Sequence, residues 1–202
     1  MIVARPAEGN RTEMKVTMGV MGSAGGPLDP EVCAKVFRLG EAIGRSDCIL
    51  ITGACPGLPH EAVKGAKSAG GLTVGISPGH TLQEHVELYD SPTDHLDVLI
   101  FTGSGLMGRE ITAVRSCDIV LVVGGRSGTL GEFAVAYDEG KVIGVLKGTG
   151  GIAENVDRIV AFVDKETGAE VIYDDDPDRL VARLLERLPS HKQPQPARAA
   201  GG

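Results

Sequence analysis

Residues 118–132 read Asp-Ile-Val-Leu-Val-Val-Gly-Gly-Arg-Ser-Gly-Thr-Leu-Gly-Glu: an unbroken β-branched and leucine run, a glycine-rich turn, and the start of a helix. An apolar run of this kind marks a strand covered on both faces, as in the middle of a parallel sheet. The chain must then reverse tightly. Gly124, Gly125 and Gly128 permit positive φ and let main-chain N–H groups approach a ligand without Cβ obstruction. Thr129 is expected to open the next helix, its unsatisfied donors facing the same spot. The segment is therefore expected to hold an anion, with the amides of residues 124–129 converging on a hollow.

Outward from this unit the same grammar repeats. Strands are expected at Lys15–Met21, Cys48–Thr52, Leu72–Ile76, Val98–Phe101, Ile119–Val123, Val142–Leu146 and Glu170–Tyr173. Helices are expected near 30–43, 60–69, 106–116, 130–139, 152–165 and 178–188. Strict alternation implies an α/β fold with a doubly wound, mostly parallel, Rossmann-like sheet and helices on both faces. Asp29 is a plausible N-cap with Pro30 behind it, and Val32, Val36, Leu39 and Ile43 keep helical spacing for an inward face. Residues 1–13 and 190–202 lack periodicity and are expected to be disordered, leaving one domain over 14–189.

Composition narrows the function classes. With 202 residues, 42% of them hydrophobic, the chain can bury a core without disulfides or metal. A net charge of −7 with scattered Lys and Arg argues against a nucleic-acid partner. No apolar stretch approaches the ~20 residues of a membrane span, and Met1–Glu13 has no apolar signal core, so a cytoplasmic protein with no membrane partner is expected. Cys33, Cys48, Cys55 and Cys117 form no CxxC pair and read as small buried hydrophobes in a reducing compartment. His60, His80, His85 and His95 lack ligand spacing and read as loop or helix-end residues, so no metal is expected.

Ligands of open parallel sheets gather at the carboxyl ends of the strands, where four loops carry glycine. They begin Gly22-Ser23, Gly53, Gly103-Ser104-Gly105 and Gly124-Gly125-Arg126-Ser127-Gly128-Thr129. Any one could be a plain strand-to-helix turn. Four together point to one phosphate or nucleotide site. Gly103–Gly108 spells GxGxxG, yet it lies on the fourth βα unit and the next strand does not end in an acidic residue, which disfavours NAD. Arg109 follows that loop and Glu132 follows the Gly124–Thr129 loop. Adjacent strands are expected to bring the two together as a cation and a carboxylate flanking one pocket. Glu132 also has a structural reading, as the far end of a Thr129–Glu132 capping box.

These residues resemble the LOG family, often labelled lysine decarboxylase-like, whose hallmark is PGGxGTxxE preceded by an arginine. Gly124 stands where the hallmark has proline, and Arg126 stands where it has its second glycine. The strings Gly19-Val20-Met21-Gly22, Ile51-Thr52-Gly53, His60–Ala66 and Thr73–Gly79 look closest to the molybdenum-cofactor carrier branch of the same superfamily. The resemblance implies a Rossmann-like fold, a homodimer or homotetramer, and hydrolysis of the N-glycosidic bond of a nucleoside 5′-monophosphate to free base and ribose 5-phosphate. It assigns catalysis to Arg109 and Glu132, and phosphate to Gly125, Ser127, Gly128 and Thr129. No Schiff-base lysine in a pyridoxal site is suggested, so the decarboxylase label carries no weight.

Two functions follow. In one, Glu132 stabilises the positive charge that builds on the sugar and orients water, while Arg109 holds the substrate or the departing base. In the other, the same loops hold a phosphorylated nucleotide or molybdenum cofactor without chemistry, as a binding or carrier protein. A nucleotide-sensing subunit of a larger system is a third option. No cofactor is required by the first reading. With no Trp, three Tyr and four Phe, base stacking has little to draw on.

Overall fold

A computed structural model describes residues 14–189. The tails expected to be disordered, 1–13 and 190–202, lie outside the described residues. Seven strands form one sheet: β1 (Thr17–Gly22), β2 (Ile49–Thr52), β3 (Leu72–Ser77), β4 (Val98–Phe101), β5 (Ile119–Val123), β6 (Val142–Leu146) and β7 (Glu170–Asp174). Their order is β4-β3-β2-β1-β5-β6-β7 and every pairing is parallel. Five α-helices lie between the strands and a sixth follows β7: α1 (Pro30–Arg45), α2 (Leu58–Ser68), α3 (Gly105–Arg115), α4 (Ser127–Asp138), α5 (Val156–Val163) and α6 (Pro177–Leu185).

Strand side chains alternate between two cores, as the pleat requires. Met18, Val20, Ile119, Leu121 and Val123 pack with α1, α2 and α6 on one face. Met21, Val120 and Val122 pack with α3, α4 and α5 on the other. All five residues of β5 are buried, which explains its lack of polar positions. The first helix starts where its sequence says: the Asp29 carboxylate accepts from the Glu31 N–H at 2.8 Å, with Pro30 in the first turn. Helices α1 and α2 touch backbone to backbone. A Cβ on Gly40 would overlap the Ala62 carbonyl, and one on Gly65 would overlap the Phe37 carbonyl.

Three expectations change. The fourth helix begins at Ser127, not at residue 130, because Gly124 (φ 60°) and Gly125 (φ 98°) complete the reversal by themselves. The helix expected over 152–165 is a 3₁₀ turn, Gly151–Glu154, followed by α5. The break follows from the turn's amides, which serve the glycine turn after β5: Ile152 donates to the Gly125 carbonyl at 3.0 Å and Ala153 to that of Gly124 at 2.9 Å. A π-helical turn, Glu84–Leu88, carries His85 into the interior, where its ring bonds Ser77 Oγ and the Pro92 carbonyl.

Candidate functional site

The sheet reverses its winding between β1 and β5, the crevice where α/β ligands bind. A cavity of about 330 Å³ opens there. Its floor is the end of β1 with Gly22 and Ser23, one wall is Gly53 and Cys55 after β2, and the opposite wall is Arg126–Thr129 at the start of α4. Helix α3 supplies Leu106, Arg109 and Glu110, and Glu132 enters from α4.

The glycine turn is braced on every side. Gly124 N–H donates to Thr149 Oγ1 at 2.8 Å, and Gly125 N–H donates to Ser23 Oγ at 2.8 Å. Thr149 Oγ1 donates in turn to the Leu146 carbonyl at 2.6 Å. Both carbonyls of the turn accept from the 3₁₀ segment, as described above. The amides of Gly124 and Gly125 are therefore consumed by hydroxyls, and these two glycines lie beneath the cavity without lining it. This corrects the expected hollow of amides 124–129. What faces the cavity is the helix start: Leu130 N–H makes the first helical bond, to the Arg126 carbonyl at 2.9 Å, so the amides of Ser127, Gly128 and Thr129 precede any intrahelical acceptor. Thr129 is the third helical residue, not the opening one, and its side chain packs where a Cβ of Gly125 would be. No side chain caps α4, so the Thr129–Glu132 capping box does not form.

Arg109 and Glu132 meet across the cavity, but not by the expected route. Strands β4 and β5 are not neighbours; β3, β2 and β1 separate them. Helix α3 leaves the sheet edge, packs on β3 and α4, and so carries Arg109 back to the centre. Arg109 is 6% exposed, and its Nη1 donates to the carbonyl of Gly53 and, at 3.4 Å, to that of Ile76. Its Nε is buried without a partner among the described residues. The missing Cβ of Gly53 leaves the space the guanidinium fills, since a side chain there would overlap it.

Glu132 is 7% exposed. Burial pushes its carboxyl up to about 7; the Arg109 charge opposes that rise and the Glu110 charge adds to it. Such a group exchanges its proton near neutral pH, the range useful to a general base or acid. Glu110 is half-buried and also raised by burial, with Arg109 working against the rise. Cys55 lines the same cavity, contrary to its expected core role, and burial pushes its thiol up to about 11.

Gly103, Ser104 and Gly105 are outside the cavity. Gly103 N–H bonds the Gly79 carbonyl at 3.0 Å, Gly105 N–H bonds that of Pro78 at 3.2 Å, and Ser104 Oγ bonds Thr102 Oγ1 at 2.8 Å. The two glycine amides are spent on tying the end of β4 to the loop after β3, and the Ser104 hydroxyl on its own loop. Sequence reasoning missed Glu110, Cys55 and Thr149. Glu110 and Cys55 each follow a chosen residue within two positions, whereas nothing near Thr149 announces its bond to a turn 25 residues earlier.

A family model for the SLOG cluster4 family matches residues 15–181. The chain belongs to that family. An uncharacterized protein of Archaeoglobus fulgidus is 37% identical over 130 residues, 64% of this chain and 79% of that one. The molybdenum cofactor binding protein of Rippkaea orientalis superposes with TM-score 0.71 at 27% identity, covering 87% of this chain and 98% of the other. The Moco carrier protein of Chlamydomonas reinhardtii gives TM-score 0.69 at 32% identity, covering 87% and 100%. The likeness to the molybdenum-cofactor carrier branch read from the sequence is thus present in the fold as well. No described helix is long and apolar enough to cross a membrane.

Proposed function

We propose that the cavity binds a nucleoside 5′-monophosphate and cleaves its N-glycosidic bond, giving free base and ribose 5-phosphate. The observation that carries this reading is the pairing of a buried, incompletely bonded Arg109 with a buried Glu132 beside the open start of α4. The phosphate sits on the amides of Ser127, Gly128 and Thr129, with the exposed Arg126 at the rim as its cation. The C1′–N bond breaks with its electron pair going to the base nitrogen, which takes a proton from solvent as it leaves, while the proton that Glu132 removes from water returns to solvent. Water adds its oxygen to C1′, and Glu132, as carboxylate, takes the water proton and steadies the positive sugar in between. Arg109 orients the ligand through the donors it does not spend on Gly53 and Ile76.

The solved relatives favour a second reading, a carrier of molybdenum cofactor without chemistry. The residues fit the phosphate of such a group: the α4 amides and Arg126 would hold it. A thiol held as high as that of Cys55 stays protonated.

Incubation with AMP and GMP followed by chromatography for free base separates the two. Base release proportional to protein, lost in Glu132→Gln while nucleotide binding persists, supports hydrolysis; one such electrostatic contact is worth on the order of 10²–10³ in rate. Tight binding with no release by the wild type refutes it and leaves the carrier. We further propose a homodimer or homotetramer, tested by light scattering, in a cytoplasmic setting that four unpaired cysteines support.

A further inference from the structure

Helix α4 carries two glycines in its first two turns, Gly128 and Gly131, although glycine in a helix costs about 1 kcal/mol relative to alanine. Gly128 belongs to the Gly-Thr-x-x-Glu string; Gly131 stands at one of its unspecified positions. Both face the same side chain. A Cβ built on Gly128 would lie 3.0 Å from Glu110 Oε1, and one on Gly131 would lie 3.5 Å from Glu110 Oε2. The carboxylate of Glu110 is thus laid across the start of α4, over a seat made by two missing Cβ atoms. The Arg109 charge acts on it against the effect of its burial.

We propose that Glu110 is a specificity-determining residue of the oxyanion subsite, grading ligands by charge so that a single phosphate is accepted and a pyrophosphate is rejected. The proposal rests on the reading that phosphate binds at Ser127–Thr129. A phosphate there shares the helix start with Glu110, and Gly128 is common to both. The charges facing the subsite are Arg109 and Glu110 from α3, Glu132 from α4 and Arg126 at the rim. Two arginines against two carboxylates leave room for one phosphoryl group beside the amides. A second phosphoryl adds negative charge where Glu110 already supplies it, and like charges a few Å apart disfavour each other strongly in a partly desolvated pocket.

The test is calorimetric titration of wild type and Glu110→Gln with AMP, ADP and adenosine at one pH and salt concentration. The wild type is expected to prefer AMP over ADP. In the variant ADP binding should gain about tenfold more than AMP binding, with adenosine unchanged. An AMP:ADP affinity ratio unaltered by Glu110→Gln overturns the role of Glu110 while leaving the phosphate reading intact. Failure of AMP and ADP to bind either protein overturns both. Thermal melting of the variant at the wild-type temperature establishes that the comparison is between folded proteins.

Discussion

Glu132→Gln should make this protein more stable, and only above a definable pH. A carboxyl ordinarily near 4.5 stands at about 7 in the folded chain because burial penalises its charged form. The folded state therefore holds this proton more tightly than the unfolded state, and stability falls as pH rises through the window from 4.5 to about 7. Below that window both states are protonated and the penalty is absent. Above it the penalty is full, roughly 3 kcal/mol when the displacement is converted at about 1.36 kcal/mol per pH unit. Arg109 is already included, since its attraction has been set against burial in that net value. Glutamine mimics the protonated acid, so the variant escapes the penalty without losing shape. Urea unfolding of both proteins at pH 5 and pH 8 should show the advantage of the variant growing by roughly 2–3 kcal/mol between the two, with unchanged m-values. An advantage that is the same at both pH values, or a variant less stable at pH 8, would refute the claim that Glu132 is held in a charge-averse pocket.

Thr149→Val keeps the volume of the side chain but leaves the buried Gly124 N–H without its acceptor, so the urea midpoint should fall by the equivalent of about 1–3 kcal/mol. AMP binding, read by calorimetry, should weaken with it, because that turn aims the start of α4. Gly65→Ala should cost at least about 2 kcal/mol in the same unfolding assay: its Cβ meets the Phe37 carbonyl, and the helix-propensity gain of about 1 kcal/mol is too small to offset separating α1 from α2. Gly53→Ala should leave the melting temperature nearly untouched and weaken AMP binding about tenfold, since its Cβ displaces the Arg109 guanidinium from the cavity wall. Wild-type affinity in that variant would show that Arg109 does not touch the ligand.

What the sequence made legible was whatever depends on local pattern. The apolar run of β5, the Asp29–Pro30 helix start and the strand–helix alternation carry their reasons within a few residues, and these elements lie where expected. Long-range order was less legible. Chain order alone sets β4 beside β5, but the winding reverses after β4, and nothing within either strand encodes which edge the next one joins. The GxGxxG loop misled for a related reason. Gly103 and Gly105 do adopt positive φ, at 60° and 68°, so glycine is required there by a tight turn at the sheet edge rather than by a ligand. The capping box failed because Gly125 had already turned the chain, which moved the helix start ahead of Thr129.

The route of α3 has a consequence for how the site tolerates change. Arg109 is held by carbonyls at the ends of β2 and β3, and Glu132 by the packing of α4 on the same face of the sheet against β5, so both are anchored away from the β4 loop. The rigid parts of the site are instead the hydroxyl bonds of Ser23 and Thr149 to consecutive amides, contributed by loops on either side of β5. A turn pinned from both sides keeps the α4 amides fixed before any ligand arrives, which lowers the ordering cost of binding. The soft parts are the side chains of Arg126 and Glu110, one exposed at the rim and one laid over two glycines. Ligand choice can therefore shift through those two positions while the frame stays constant, and substitutions at Ser23 or Thr149 should impair every phosphorylated ligand alike.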